Sequence, residues 1–227
     1  MSKVIKLLDL CCGAGGAAMG YFQGAKDQGI EIQITGIDIK PQPNYPFTFI
    51  QDDAVSFLKK NHKKFTHFHS SPPCQKYSPS TDRYRKNGKI YPDNLEEIRE
   101  LMYGCGKPGI IENVMTSPLR PDIILRGDMF DLKVLRSRKF ELVNWFDFRP
   151  GTPKRNGTVR RGDYISVFGK AALRKNSSDE WPKFKQESIL KTWSFAMGID
   201  WMKTDRELAE SIPPAYTRYL SLNFFKA

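Results

Sequence analysis

The apolar positions of this chain change period several times, and each change marks an element. Val4-Ile5-Lys6-Leu7-Leu8 through Leu10 is nearly continuous in apolar residues, the pattern of a strand, which ends at Asp9-Leu10. Cys11-Cys12-Gly13-Ala14-Gly15-Gly16 follows as a glycine-rich turn into a helix that opens Ala17-Ala18-Met19-Gly20. A second strand, Ile32 to Ile37, ends at Asp38, and a proline-rich connection from Pro41 to Pro46 leads to a short third strand, Phe47 to Ile50. Phe65-Thr66-His67-Phe68-His69 alternates with period two and predicts a strand. It must end at Ser71, because Pro72-Pro73 cannot continue a ladder. Leu95, Ile98, Leu101 and Met102 recur at helical intervals behind Asp93-Asn94-Leu95-Glu96, which has capping-box spacing. Gly109-Ile110-Ile111 predicts a further strand running into Glu112-Asn113-Val114, and 129–142 predicts an extended stretch. Thr204-Asp205-Arg206-Glu207 is a second capping box, and Pro213-Pro214 ends the helix it opens. Strands alternating with helices make an α/β fold with a Rossmann-like opening.

A chain of 227 residues holds one sizeable core and a small appended lobe. Periodicity fades between 147 and 191, where Lys154, Arg155, Arg160, Arg161, Lys170, Arg174, Lys175, Lys183, Lys185 and Lys191 gather. Three units are expected: 1–146 as the main domain, 147–191 as a small basic lobe, and 192–227 as a segment returning to the main domain. Lys and Arg number 36 against 25 Asp and Glu, a net charge of +11, and such a surplus points to a polyanionic partner. No apolar run reaches the roughly 20 residues of a membrane span, and the N-terminus lacks the pattern of a secretory signal, so a cytoplasmic location is expected. The four cysteines, at 11, 12, 74 and 105, do not form a disulfide framework or a zinc-ligand pattern, and no metal site is expected.

Chemistry concentrates at the carboxyl ends of the expected strands, where open α/β sheets bind ligands. Cys74 sits there on a turn stiffened by two prolines, which makes it a candidate nucleophile; a buried small hydrophobe is the ordinary alternative. The glycine-rich turn lets a cofactor approach the backbone, and Asp38, about 20 residues beyond Gly16, is placed to accept from ribose hydroxyls. Nicotinamide dinucleotides and S-adenosylmethionine share that geometry. Asp53 suits either an adenine amino group or the cap of the helix beginning Ala54-Val55. The stretch 76–91 interleaves basic and aromatic residues without apolar periodicity, as a nucleic-acid-binding loop would. Glu112 is a candidate proton donor or acceptor, and Arg136 and Arg138, two apart in an extended segment, would project from one face. Cys105 reads as structural.

Taken in order, Asp9-Leu10-Cys11-Cys12-Gly13-Ala14-Gly15-Gly16, Ser71-Pro72-Pro73-Cys74-Gln75, Glu112-Asn113-Val114, Arg136-Ser137-Arg138 and Ile212-Pro213-Pro214 resemble the motifs of the cytosine carbon-5 DNA methyltransferases. Within that family the chain looks like the compact enzymes carried by phages, for which protection of viral DNA from restriction is the implied role. The resemblance implies a Rossmann-like class I methyltransferase sheet with a small basic target-recognition lobe, S-adenosylmethionine as cofactor and double-stranded DNA as partner. It further implies a monomer without an obligatory protein partner, in the host cytoplasm if phage-encoded. Cys74 would add to carbon 6 of a flipped-out cytosine, and Glu112 would hydrogen-bond or protonate ring nitrogen 3. Arg138 would hold the carbonyl oxygen, with Arg136 supporting the site and Asn113 helping to fix Glu112. The cofactor would lie on Leu10, Cys11, Gly13, Gly15 and Gly16, with Asp38 on the ribose, Asp53 near the adenine amino group, and Pro72 and Ser211 among its contacts. Three motifs depart from the family pattern: Cys11 stands where Phe is usual, Val134 where Gln is usual, and Ala209-Glu210 where Gly-Asn is usual. A lobe this short predicts a target of about 2 to 4 base pairs. The same chemistry on RNA, and an inactive nucleic-acid-binding homologue, are the alternatives.

Overall fold

The computed structural model describes residues 4–147, 151, 153–169, 182–184 and 186–227. Its strands are β1 (Ile5–Leu10), β2 (Ile32–Asp38), β3 (Thr48–Gln51), β4 (His67–Ser70), β5 (Gly109–Val114), β6 (Ile123–Leu125) and β7 (Arg138–Val143). They form one sheet in the order β3-β2-β1-β4-β5-β7-β6. The first five run parallel, and β7 lies antiparallel between β5 and β6. The chain winds outward from β1 to β3, then returns to β4 on the other side of β1. Between β1 and β4 the winding reverses, and Leu10 registers with Ser70, so the segments leaving these two strands emerge side by side. That reversal opens the crevice in which doubly wound sheets hold ligands.

Strand parity sorts the core into two layers. Ile5 and Leu7 face α1 (Gly16–Asp27) and α7 (Pro214–Phe224), together with Ile110, Phe140 and Leu142. Leu8 and Leu10 face α2 (Ala54–Asn61) and α4 (Leu95–Gly104), together with Phe68, Ile111 and Val143. A third cluster joins Ala14, Val134, Ile165 and Val167 to α5 (Ile189–Met197) and to Leu208 of α6 (Asp205–Glu210). The described part of 147–191 therefore shares its core with the C-terminal segment, and the expected boundary at 191 falls inside α5. Lys170, Arg174, Lys175 and Lys185 lie outside the described residues. Among the described residues no helix is long and apolar enough to cross a membrane.

Four expectations need correction. The stretch 76–91 is not one loop, because it contains a 3-10 turn, Pro79–Thr81, and a short helix, α3 (Asp82–Lys86). Asp82 pairs with Arg85 and Lys86 one turn on, a source of helix that apolar periodicity does not report. Asp93 does not close a capping box with Glu96: Asn94 is the N-cap, without a side-chain cap bond, and Asp93 takes Lys76 and the Tyr77 hydroxyl instead. The pair Pro213-Pro214 ends one helix and starts another, since Pro214 occupies the first turn of α7, where its missing N–H costs nothing. Finally, Arg136 is not extended: its φ is 37°, in the left-handed region, and only Arg138 belongs to β7. The box at Thr204 forms as expected, with Thr204 accepting from the Glu207 amide and the Glu207 side chain reaching back.

Candidate active site

Pro72, separated from the end of β4 by Ser71 alone, is buried, and its carbonyl accepts from Asn113 Nδ2 of β5 at 3.0 Å. Asn113 Oδ1 in turn accepts from the Val114 amide at 2.9 Å. The amide of Asn113 thus anchors the proline segment that aims Cys74, rather than fixing Glu112. After Cys74 the chain turns back, with the amides of Tyr77 and Ser78 both donating to the Cys74 carbonyl at 2.9 Å. Cys74 is half-buried at the crevice.

Glu112 is buried, not a solvated strand end. Its Oε1 lies 2.9 Å from Arg138 Nε. Burial pushes the Glu112 carboxyl above its ordinary range, while Arg138, the Ser71 hydroxyl and Arg136 pull it down. Burial likewise pushes the Cys74 thiol up, against Arg138 and Arg136, and Glu112 adds to the upward push. The thiol therefore rests protonated beside a cation and a carboxyl whose balance decides its ionisation. Three residues from three different strand ends are brought together in this way: Cys74, Glu112 and Arg138.

Arg136 serves another purpose. Its Nη1 donates to the Val167 carbonyl at 2.9 Å and its Nη2 to the Ala209 carbonyl at 2.5 Å, while Tyr216 of α7 donates to the Arg136 carbonyl. Burial, with Arg138 adding to it, pushes the guanidinium down to about 9. The left-handed turn at Arg136 swings its side chain off the β7 face and ties the arginine segment to the third cluster.

On the other side of the reversal, Leu10 is buried and Cys11 turns through φ 55°. Burial and the nearby acids Asp38 and Asp9 push the Cys11 thiol up to about 12, which leaves it inert. The Gly13 amide donates to Asp38 Oδ2 and the Lys40 amide to Asp38 Oδ1, both at 3.0 Å, so the acid at the end of β2 braces the turn. Among the described residues, a side chain added at Gly13 would meet nothing within 4 Å, which leaves space above the turn beside Asp38. Ile39, 66% exposed, adds an apolar side chain next to that acid; nothing in its local pattern singles it out. An open glycine turn, a braced carboxylate and an apolar wall fit an adenosine-containing cofactor.

Other candidates have local duties. Gly15 turns through φ 86° at the N-cap of α1 beneath Tyr45 and Pro46. At Gly16 a Cβ would stand 2.0 Å from Ser211 Oγ and 2.3 Å from the Ile212 carbonyl, so this glycine is required by close packing of the C-terminal segment. Ser211 Oγ donates to the Ile212 carbonyl at 3.2 Å. Asp53 caps α2, its Oδ1 accepting from the Ser56 amide at 2.9 Å. Trp201, which no motif marked, covers the turn by donating from Nε1 to the Ala14 carbonyl at 2.9 Å.

Asp9, fully buried in β1, accepts from the Tyr45 hydroxyl at 3.1 Å, and its Oδ1 has no partner among the described residues. Burial pushes this carboxyl up to about 7, against the Tyr45 hydrogen bond. The folded state then keeps a proton that the unfolded chain releases near pH 4, so its stabilising effect is complete below that pH and lost as pH rises towards 7. The loss amounts to roughly 4 kcal/mol over the window. Asp9→Asn is expected to cancel this slope while keeping an acceptor for Tyr45. Urea denaturation of both proteins at pH 5 and pH 8 measures it, and an equal change in stability for both would refute the assignment.

The sheet order, the reversal between β1 and β4 and the antiparallel β7 make a Rossmann-like α/β fold. No family model matches the chain, and no curated protein matches it. Solved structures do. It is similar to the Entamoeba histolytica methyltransferase EhMeth, with 13% identity, a TM-score of 0.62 and 99% of each chain covered. It is also similar to the S. pombe Dnmt2 methyltransferase, with 17% identity, a TM-score of 0.56, and 97% of this chain and 98% of that one covered. At these identities the likeness is one of fold.

Proposed function

We propose that the protein transfers a methyl group from S-adenosylmethionine to carbon 5 of cytosine in double-stranded DNA. The observation that carries this reading is the meeting of Cys74 with the Glu112–Arg138 pair at the crevice beside an open glycine turn. A thiol, a buried carboxyl and a guanidinium are the three groups that a C5 substitution on a pyrimidine needs, and both solved relatives are named as methyltransferases. The cofactor supplies an electrophilic methyl group on sulfonium. Leu10, Cys11 and Gly13 would hold it against the strand ends, with Asp38 on the ribose, Ile39 on the adenine and Pro72 at the methyl end.

The aromatic ring resists substitution at carbon 5 until a nucleophile has added elsewhere. Cys74, as thiolate, bonds to carbon 6 of a base swung out of the stack. Glu112 gives a proton or a hydrogen bond to ring nitrogen 3, and Arg138 donates to the carbonyl oxygen, so the electron pair pushed into the ring is stabilised as an enamine. Carbon 5 would then bond to the methyl group as the methyl–sulfur bond breaks, its electron pair staying on the sulfur as a thioether. Loss of the carbon-5 proton to a base and expulsion of the Cys74 thiolate restore aromaticity and free the site.

The basic surplus and the exposed Arg83, Tyr84 and Lys89 of the segment beyond Cys74 support a nucleic-acid substrate. Lys89 Nζ lies 5.8 Å from the Tyr84 ring centre and 5.2 Å from that of Tyr91, a stacking platform with a charge on it. Arg85 is not part of it, being folded onto the carbonyls of Gln75 and Ser78. Methyl-labelled S-adenosylmethionine offered with unmodified duplex DNA, and separately with structured RNA, tests the reading. Label in DNA cytosines in a fixed short context is expected. Label in RNA alone would move the substrate, and label in neither would leave a binding protein.

A further inference from the structure

Behind the Glu112 carboxyl lies a row of buried side chains for which the reaction above has no use. Strand parity puts His69 and Ser71 on the sheet face shared by Asp9, Ile110 and Glu112, because Asp9 registers with His69 and His69 with Ile110. One step beyond the Ser70–Ile111 pair, Ser71 comes against Glu112, and its hydroxyl favours the carboxylate. His69 is fully buried, and both its ring nitrogens are committed: Nδ1 to the Tyr21 hydroxyl at 3.0 Å and Nε2 to Ser71 Oγ at 3.1 Å.

The direction of this chain follows from counting protons. Burial pushes the imidazole down to about 3, so the ring is neutral and carries one N–H. A Ser71 hydroxyl that donates to Glu112 accepts from Nε2–H, which leaves Nδ1 as a lone pair. Tyr21, whose phenol burial holds well above its ordinary range, is then the donor to Nδ1. A single orientation satisfies every group, and it ends on the carboxylate.

We propose that Tyr21, His69 and Ser71 form a one-way hydrogen-bond relay that positions Glu112 and stabilises its carboxylate form between turnovers, an inference that rests on the methyl-transfer reading of this site. These are positioning residues, since they act on the base only through Glu112. The other groups facing Glu112 are Arg138 and Arg136 from the arginine segment, Cys74 from the turn after β4, Tyr216 from α7 and Tyr21 itself from α1. Of these contacts, the one made by Ser71 runs through His69.

The test follows the Glu112 carboxyl carbon by 13C NMR in the full chain, assigned by its absence from Glu112→Gln, over a pH series. Loss of one donor to a buried carboxylate in Ser71→Ala is expected to raise the Glu112 midpoint by about one pH unit. The alkaline limb of single-turnover methyl transfer moves up with it, and KM for nucleic acid stays the same. Tyr21→Phe moves the midpoint the same way by less, and His69→Gln, which keeps an amide donor near Nε2, restores most of the wild-type value. A wild-type midpoint in folded Ser71→Ala overturns the relay. Should that variant fail to fold, Tyr21→Phe is read in its place by the same criterion. The midpoint is measured without turnover, so a protein inactive on every nucleic acid would sink the methyl-transfer reading separately.

Discussion

Cys74→Ser is expected to slow methyl transfer by about 10⁴-fold or more, the scale on which enzymes lose rate when a covalent nucleophile is removed. The thiol is already held up by burial and by Glu112, and it is brought towards ionisation by Arg138 and Arg136. A serine hydroxyl starts several pH units higher, and two guanidinium groups cannot close that gap. Without addition at carbon 6 the ring gives carbon 5 no electron density, so neither Glu112 nor the cofactor can compensate. Cys74 is half-buried and is replaced by a residue of similar size, so the thermal midpoint should stay within a few degrees of wild type. Single-turnover transfer of labelled methyl, read beside the melting curve, measures both. Transfer by the variant at a rate near wild type would remove the covalent step from the mechanism.

Gly20→Ala is expected to destabilise the fold by about 3 kcal/mol, lowering Tm by roughly 6 to 12 °C, or to prevent folding. A methyl group there would sit 2.0 Å from Thr217 Oγ1, 2.1 Å from the Pro214 carbonyl and 2.9 Å from the Arg218 amide, and two of these are backbone atoms that cannot turn aside. Helix propensity alone favours alanine over glycine by about 1 kcal/mol, so the clash must outweigh a gain. Gly16, Gly20 and Gly24 recur every four residues along α1: Gly20 and Gly24 let α7 lie directly on it, and Gly16 admits Ser211 and Ile212 just ahead of α7. Thr217 Oγ1 donates to the Ala17 carbonyl at 2.7 Å, and Arg218 pairs with Asp27 at 2.6 Å, which closes the contact. Calorimetry of Gly20→Ala against an exposed control, Gly29→Ala, separates the effect of packing from that of backbone conformation. Gly29 meets nothing within 4 Å but turns through φ 63°, so the control carries backbone strain alone. A Tm for Gly20→Ala at or above that of wild type would show that the helix contact does not require Gly20.

Much of the scaffold was legible because burial leaves a local trace. The apolar run ending at Leu10, the alternation before Ser70, the stripe from Leu95 to Met102 and the box at Thr204 each record which side of an element faces the core. The prolines before Cys74 and the acid after Ile111 likewise mark the ends of β4 and the reach of β5, because a ladder cannot pass a proline and a carboxylate is rarely buried without a purpose. By itself, then, the sequence determined the five parallel strands β1 to β5, the turn that carries Cys74 and the order in which the candidate groups arrive, while β6 left no pattern that marked it.

Tertiary structure decided what those groups do. Gly16 reads equally well as a cofactor turn and as a helix contact, since a missing side chain looks the same in either role, and only Ser211 and Ile212 against it distinguish them. Arg136 and Arg138 share a face only if the segment is straight, and the left-handed turn that sends Arg136 to Val167 and Ala209 depends on carbonyls 31 and 73 residues away. Asn113 holds Pro72, and His69 joins Tyr21 to Ser71, through bonds that leave no periodicity behind. Hydrophobic patterning reports a residue's own exposure. The partner of a buried polar group is set by how strands and helices distant in the chain are brought together, and that exists only once the sheet has formed.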